Sequence, residues 1–320
     1  MKKIVVTRKI PAEFLDQLEN LGEVEVWNSE YEPMPRERFL TEIKDATACL
    51  ITLSERIDQE VFEAAPHLKV IANMAVGYDN IDLQLASRHD VIVTNTPSVL
   101  TEATAELGVT LTLSVARKVI EAQDYVKQGK WQSWGPYLFA GKDLHGATVG
   151  IFGMGDIGKA YARRLTGFNT TILYHNRSRH LQAEQELGAR YVDFETLLKE
   201  SDFVVCTAPL TSETENKFDR AAFNQMKNDA IFINIGRGPI VDEEALVEAL
   251  KHNEIAACGL DVLREEPIRM DHPLLDMEQA VILPHIGSAT KETRDNMIQL
   301  CVDNIEGVLQ RGEAKTQVND

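Results

Sequence analysis

The chain has 320 residues, 44% of them hydrophobic, and a formal net charge of -17. Its length and apolar content are enough to fill two domain cores, while its charge argues against nucleic acid and anionic membranes as partners. Solubility is the plainest use of that acidity, and it leaves room for a small anionic ligand held by a local cluster of Arg, His and backbone N–H groups. No run approaches the ~20 apolar residues that cross a bilayer, and the apolar run at Ile4-Val5-Val6 is too short for a signal peptide. A cytoplasmic protein is expected.

Through the first hundred residues, β-rich runs at 4–7, 24–27, 49–53, 70–72 and 91–94 alternate with helical patterns at 12–21, 36–44, 59–64 and 83–89. Such alternation predicts a parallel sheet covered on both faces. This segment has no glycine fingerprint, which makes it the candidate substrate domain. A long helical pattern follows over 101–127, with Leu107, Leu111, Val115 and Ile120 on one face and Thr101 available as a cap. After an aromatic loop, Trp131-Gln132-Ser133-Trp134-Gly135-Pro136-Tyr137, a second α/β series begins. Its strands start near Ala147, Thr170, Phe203, Ala230, Ala256 and Ala280, the order of a doubly wound sheet. Residues 291–309 are helical again and are expected to return to the first domain, and the polar tail from Arg311 is expected to be mobile. The four cysteines, Cys49, Cys206, Cys258 and Cys301, are far apart and read as buried free thiols.

Gly153-Met154-Gly155-Asp156-Ile157-Gly158 lies between the first strand of the second series and a helical pattern. Glycines at this spacing permit a tight turn and close backbone approach, and a helix N-terminus offers N–H donors to a pyrophosphate. Alone, the motif is also compatible with an ordinary strand–helix turn. The next strand adds the discriminating signal. It runs into His175-Asn176-Arg177-Ser178-Arg179, and no acidic residue occurs between Asp156 and Glu184. A site for NAD usually puts a carboxylate there for the ribose 2′-hydroxyl, whereas guanidiniums and a hydroxyl suit a 2′-phosphate. The expected cofactor is NADP(H), with NAD(H) as the second choice.

Three further clusters fall just after strands of the second series, the end at which open α/β sheets bind ligands. In Asn234-Ile235-Gly236-Arg237-Gly238, two glycines flank a guanidinium able to pair with a carboxylate or polarise a carbonyl; a surface arginine in a turn is the plainer alternative. Gly259 to Pro267 contains Asp261 and Glu266, and Leu283 to Thr290 contains His285, Gly287 and Ser288. His285 reads either as a satisfied polar core residue or, with a carboxylate such as Glu266 fixing its tautomer, as a proton donor to a carbonyl receiving hydride. His67, His89, His145, His252 and His272 sit in turn-like or polar contexts and read as structural or exposed.

These motifs resemble the D-isomer-specific 2-hydroxyacid dehydrogenase family over nearly the whole chain, most closely its glyoxylate/hydroxypyruvate reductase and 2-ketogluconate reductase branch. The resemblance implies two doubly wound parallel-sheet α/β domains with a cleft between them. These are a flavodoxin-like substrate domain, 1–100 plus 287–320, and a Rossmann cofactor domain, 101–286. It implies an Arg–Glu–His catalytic set at Arg237, Glu266 and His285, with Arg237, His285 and Ser288 on the substrate. Val76 and Gly77, in Asn73-Met74-Ala75-Val76-Gly77-Tyr78, would hold the substrate carboxylate through their amides. Thr101, Ala208, Pro209, Ile235, Gly236, Asp261 and Gly287 would touch the cofactor. Leu263 replaces an aromatic residue common in the family. Trp134 would enter the active site of a second copy or pack an arm at its interface, and either reading implies a homodimer.

Together these readings predict NADPH-dependent reduction of a small 2-keto acid to the D-2-hydroxy acid, with closure about 97–101 and 285–290. Glyoxylate, hydroxypyruvate and 2-ketogluconate are the leading substrates. Phosphoglycerate and D-lactate-type NAD enzymes are near rivals, and the acidic NAD residue that phosphoglycerate dehydrogenase usually carries is missing. Formate dehydrogenase pairs its histidine with glutamine instead. A non-catalytic, cofactor-sensing corepressor-like module is the alternative from another class. No metal is expected.

Overall fold

Two parallel sheets organise the chain in this computed structural model, which describes residues 2–320. They belong to two compact units, Met1–Leu100 with Ala289–Asp320, and Thr101–Ser288.

The first unit alternates β1 (Lys3–Val6), α1 (Ala12–Glu19), β2 (Glu23–Val26), α2 (Arg36–Glu42), β3 (Ala48–Ile51), α3 (Gln59–Ala64), β4 (Val70–Asn73), α4 (Leu83–Arg88) and β5 (Ile92–Thr94). The strands lie in the order β2-β1-β3-β4-β5, every pair parallel, which is the flavodoxin-like winding. Central strands such as Ala48-Cys49-Leu50-Ile51 are buried on both faces, so their sequences are continuously apolar. The two-residue period of a strand sends Val5, Cys49, Ile51 and Ile71 into a core with Phe39 and Phe62. The intervening Ile4, Val6, Leu50 and Val70 join Phe14 and Leu18 in the core on the other face.

The second unit opens with α5 (Thr101–Ala116) and α6 (Val119–Lys127) and continues through β6 (Thr148–Phe152), α7 (Asp156–Leu165), β7 (Thr171–His175), α8 (Leu181–Leu187), β8 (Arg190–Tyr191) and α9 (Phe194–Glu200). Then come β9 (Phe203–Cys206), α10 (Arg220–Phe223), β10 (Ile231–Asn234), α11 (Glu243–Lys251), β11 (Ala257–Leu260) and β12 (Ala280–Ile282). Strand order is β12-β11-β10-β9-β6-β7-β8, again all parallel. The winding reverses between β6 and β9, a topological switch point of the kind that binds ligands at the strand C-termini. Finally α12 (Lys291–Arg311) returns to the first unit, where Ile298, Cys301, Val302 and Ile305 complete its second core.

Several expectations need correction. The single helix over 101–127 is two helices, because Lys118 adopts a positive φ of 53° between them. The main chain at Gly141-Lys142 crosses the end of α5, and the Lys142 N–H takes the Ala116 carbonyl at 2.8 Å. Beyond that crossing the periodic pattern buries nothing, and α6 has no buried residue. Thr101 is the first residue of α5 rather than its cap. The short strand β8 had no signal distinct from the adjacent helices. The boundary between the units falls at Ser288/Ala289 instead of 286/287, since the carboxylate of Asp261 ties the Ile286 and Gly287 amides to the second unit.

The polar tail is not mobile but built into the edge of the first sheet. Thr94 and Gln317 form an antiparallel bridge, Val318 N–H donates to Val93 O at 2.9 Å, and Asn95 N–H donates to Thr316 O at 3.2 Å. The polarity is used for hydrogen bonding: Asn319 Oδ1 accepts Val93 N–H, and buried Asn304 accepts Lys315 and Thr316 N–H. Among the described residues no helix is long and apolar enough to cross a membrane, and no cluster of His, Cys, Asp and Glu is suited to a metal. All four cysteines are free and buried, and burial pushes the Cys206 and Cys258 thiols up to about 12.

Truncation after Glu313 is expected to cost about 3 kcal/mol, the sum of a few net hydrogen bonds at ~1 kcal/mol each, by leaving the β5 edge unpaired. Urea unfolding of the full and truncated chains measures it; an unchanged midpoint contradicts the assignment.

Candidate functional site

At the C-terminal end of β6, Gly153 has φ of 106°, and a Cβ there would lie 2.6 Å from the Ala208 nitrogen. Gly158 is packed equally close, its hypothetical Cβ 2.1 Å from Gly153 O. Only glycine satisfies both constraints. Gly155 differs: a Cβ there would meet nothing, so its backbone faces open space before the first turn of α7, which begins Asp156-Ile157-Gly158. Helix-start N–H groups beside an uncluttered glycine backbone fit the pyrophosphate of a dinucleotide. The ends of β9 and β10 close around the same point. Thr207 Oγ1 donates to Gly153 O, and a Cβ on Gly236 would lie 2.7 Å from Ala208 O. Ala208 and Gly236 therefore border the loop, with Pro209 and Ile235 next to them in the chain. Ile235 also packs against α5, its Cδ1 2.7 Å from a hypothetical Cβ on Gly108.

The basic loop after β7 divides into parts. Asn176 occupies the strand end, and its Oδ1 accepts the Met154 N–H at 2.8 Å, so the tip of the strand carries an amide instead of a carboxylate. Arg177 and Ser178 are exposed, and neither side chain has a hydrogen bond or ion pair among the described residues. Arg179 is not equally available. Its guanidinium pairs with Glu184, which also accepts Tyr174 O–H at 2.7 Å. These two bonds, from Arg179 first and Tyr174 second, hold the Glu184 carboxyl down at about 2. His175 is turned into packing: it stacks with Phe152 and Tyr191 and donates from Nδ1 to Val192 O at 2.9 Å. Of the predicted 2′-phosphate ligands, Arg177 and Ser178 remain uncommitted.

Arg237, Glu266 and His285 come from three different strand ends of the second unit. Buried Asn234 shapes the first turn: its Oδ1 accepts Gly236 N–H at 3.0 Å and its Nδ2 donates to Arg237 O at 2.9 Å. Glu266 Oε2 lies 2.8 Å from His285 Nδ1, and Oε1 accepts Leu263 N–H at 2.9 Å. Burial raises the Glu266 carboxyl. The His285 bond and charge, the Leu263 N–H and the Arg237 charge outweigh that effect and hold it below the usual carboxylate range. A carboxylate on Nδ1 leaves Nε2 as the nitrogen that can serve a ligand.

His285 itself has φ of 54°, a left-handed backbone uncommon for a residue with a side chain. Asp261, only 2% exposed, holds it there by accepting Ile286 N–H at 2.8 Å and Gly287 N–H at 2.7 Å. Burial is the largest influence on Asp261 and leaves its carboxyl raised in spite of those donors. Sequence reasoning missed both anchors, Asp261 for the His285 turn and Asn234 for the Arg237 turn. The available signal was a polar side chain closing an otherwise apolar strand run. Ser288 follows in the same loop, half-buried and without a side-chain partner among the described residues.

In the first unit, Asn73 Nδ2 donates to Gly77 O at 2.8 Å and Asn95 Nδ2 to Val76 O at 2.9 Å. The Val76 and Gly77 N–H groups donate to nothing among the described residues. Thr101 begins α5, whose Glu102 is paired with Arg164 at 2.7 Å and Arg163 at 3.3 Å of α7. Trp134 is 81% exposed, and Trp131, Tyr137 and the Val119, Ile120 and Val126 side chains of α6 are exposed as well.

The family model for the D-isomer specific 2-hydroxyacid dehydrogenase NAD binding domain matches residues 109–287. A glyoxylate reductase of Pyrococcus furiosus is 49% identical over 97% of this chain and 93% of its own length. Among solved structures, the TT0316 protein of Thermus thermophilus superposes with a TM-score of 0.92 at 41% identity, covering 99% of both chains. An NADPH-dependent glyoxylate/hydroxypyruvate reductase of Sinorhizobium meliloti, crystallised with NADP and malonate, gives 0.86 at 33% identity over 99% of this chain and 96% of that one.

Gly155→Ala is expected to leave folding intact and to weaken dinucleotide binding at least ~10-fold, about 1.4 kcal/mol, by filling the open space before α7. Gly153→Ala is expected to lower Tm instead. Calorimetric titration with NADPH and NADH, paired with melting curves, separates the two; normal binding by Gly155→Ala removes the pyrophosphate assignment.

Proposed function

The chain belongs to the D-isomer specific 2-hydroxyacid dehydrogenase family, and on that premise we propose that it reduces a small 2-keto acid to the D-2-hydroxy acid with NADPH. The observation that carries the reading is the 2.8 Å His285–Glu266 pair, formed where the Arg237 charge also acts on Glu266. Glyoxylate is the leading substrate because the similar proteins named above include glyoxylate reductases; hydroxypyruvate and 2-ketogluconate follow. Thr101–Ser288 is the cofactor-binding unit of this proposal, and the remainder is its substrate unit.

When bound, a reduced nicotinamide would supply the hydride that the carbonyl carbon receives. His285, in its imidazolium form, delivers the Nε2 proton to the carbonyl oxygen, and the Glu266 carboxylate stabilises the ring's charge and orientation. Arg237 binds the substrate carboxylate and polarises the carbonyl, an arrangement that stabilises the charge developing on oxygen. The Val76 and Gly77 amides, which donate to nothing among the described residues, are assigned to the substrate carboxylate, and Ser288 is assigned to the substrate beside His285. Thr101, Ile235, Asp261 and Gly287 are assigned to the cofactor's nicotinamide half.

Support for NADPH over NADH comes from the Asn176 strand end and the uncommitted Arg177 and Ser178. A homodimer is proposed because several large apolar side chains between Val119 and Tyr137, Trp131 and Trp134 among them, are left exposed.

Three measurements test this reading. His285→Gln is expected to lower kcat for glyoxylate by at least ~100-fold, the usual contribution of a positioned acid; undiminished turnover removes His285 from the chemistry. Arg177→Ala is expected to lower kcat/KM about tenfold with NADPH and to leave it unchanged with NADH, the loss of one charge-assisted bond. Equal efficiency of the two cofactors in the wild type refutes the preference. The third concerns pH. Glu266 has a folded pKa below its ordinary value of 4.5, so its stabilising contribution is complete above that value and is lost as pH falls through the lower folded value. Melting curves at descending pH are therefore expected to fall more steeply below 4.5 for the wild type than for Glu266→Gln.

A further inference from the structure

A second histidine–carboxylate pair supports the segment that carries Glu266. His272 Nε2 is 3.4 Å from Glu243 Oε2, and the two side chains are 17% and 13% exposed. His272 Nδ1 accepts Leu274 N–H at 3.3 Å, which assigns the ring proton to Nε2, facing Glu243. The other Glu243 oxygen, Oε1, accepts the main-chain N–H of Arg264 at 2.5 Å. The preceding N–H, that of Leu263, is the one bound by Glu266 Oε1 at 2.9 Å. Successive peptide N–H groups are thus held by two carboxylates, Glu266 on one and Glu243 on the next.

The same segment is clamped by its own side chain and by a close backbone contact. The Arg264 guanidinium donates to Asn216 Oδ1, to Pro239 O at 3.2 Å and to Val241 O at 3.1 Å. On the Arg237 side, a Cβ on Gly238 would lie 1.9 Å from the Leu263 carbonyl carbon, so the turn after Arg237 rests directly on the segment. Glu243 is the first residue of α11, where the helix start favours a negative charge.

We infer that Glu243, His272 and Arg264 are positioning residues for the reaction: they fix the peptide at Leu263-Arg264, and through it the orientation in which Glu266 meets His285. The inference rests on the reading of Glu266 and His285 as the proton-delivering pair. His272 holds the Glu243 carboxylate, Glu243 holds the Arg264 N–H, and the segment cannot pivot about its bond to Glu266. Glutamine at 243 keeps the shape but has one acceptor oxygen for two donors, so one of the two bonds is lost.

The test is a double-mutant cycle in the full chain, reading kcat and KM for glyoxylate with whichever of NADPH and NADH turns over faster. Glu243→Gln is expected to lower kcat ~10-fold, within the cost of a displacement below 1 Å, with both KM values within about twofold of wild type. In the Glu266→Gln background the same change is expected to lower kcat by less than about twofold, because its effect passes through Glu266. A merely structural role lowers kcat by the same factor in both backgrounds and overturns the inference, as does an unchanged kcat for Glu243→Gln. An unchanged kcat for Glu266→Gln alone overturns the reading of Glu266 itself, and this inference with it. Should Glu243→Gln fail to fold, Arg264→Gln, which removes the three side-chain contacts and keeps the main-chain N–H, replaces it in the same cycle with the same outcomes.

Discussion

The buried carboxylate of Asp261 is the constraint on which the candidate site turns. Strand β11 ends at Leu260, and the next residue, itself bonded through its N–H to Asn234 O, reaches across to the Ile286 and Gly287 amides. Those two bonds set the main-chain course after β12 and keep His285 in a left-handed conformation. A residue in that region costs of order 1 kcal/mol unless its surroundings impose it, and here two short bonds to one carboxylate do so. The Glu266 pair then fixes the ring that this backbone presents.

Electrostatics follows the same local logic. A chain of net charge -17 has carboxylates to spare, yet each one at the site is given specific donors. Glu266 has an imidazole, a peptide N–H and a nearby guanidinium charge; Asp261 has two peptide N–H groups; Glu184 has Arg179 and Tyr174. Partial burial separates these groups in their effects. Glu266 is stabilised as an anion in spite of it, while burial prevails at Asp261. Arg179 is drawn into the Glu184 pair, so the positive charge left uncommitted in the basic loop lies on Arg177.

Parallel topology explains why residues so far apart in sequence are neighbours. Every strand of the second sheet points the same way, so the residue just after each strand arrives at one edge. Gly153 and Asp261 directly follow their strands, Ala208 and Gly236 stand one residue further on, and the missing Cβ atoms of Gly153 and Gly236 allow Gly153, Ala208 and Gly236 to touch. Packing beneath that edge is continuous. Val149, Ile151, Val205 and Ile233 point into one core, and Val204, Cys206 and Phe232 into the other.

Much of this architecture was legible in the residues. Buried parallel strands are apolar runs and surface helices are periodic, so the positions of nearly all strands and helices could be read from local pattern alone. The glycine spacing and the lack of an acidic residue before Glu184 are likewise local facts. What local pattern does not contain is where distant segments press on one another. The break at Lys118 arises because Gly141-Lys142 crosses the end of α5; the ordered tail arises because β5 has an open edge; the capture of Arg179 arises because α8 brings Glu184 back beside it. The sequence by itself determined the strand and helix pattern, because hydrophobic periodicity and glycine stereochemistry act within a few residues. Only the tertiary structure decided which polar groups are partnered, because hydrogen bonds such as those of Asp261, Glu266 and Glu243 depend on distances between chain segments.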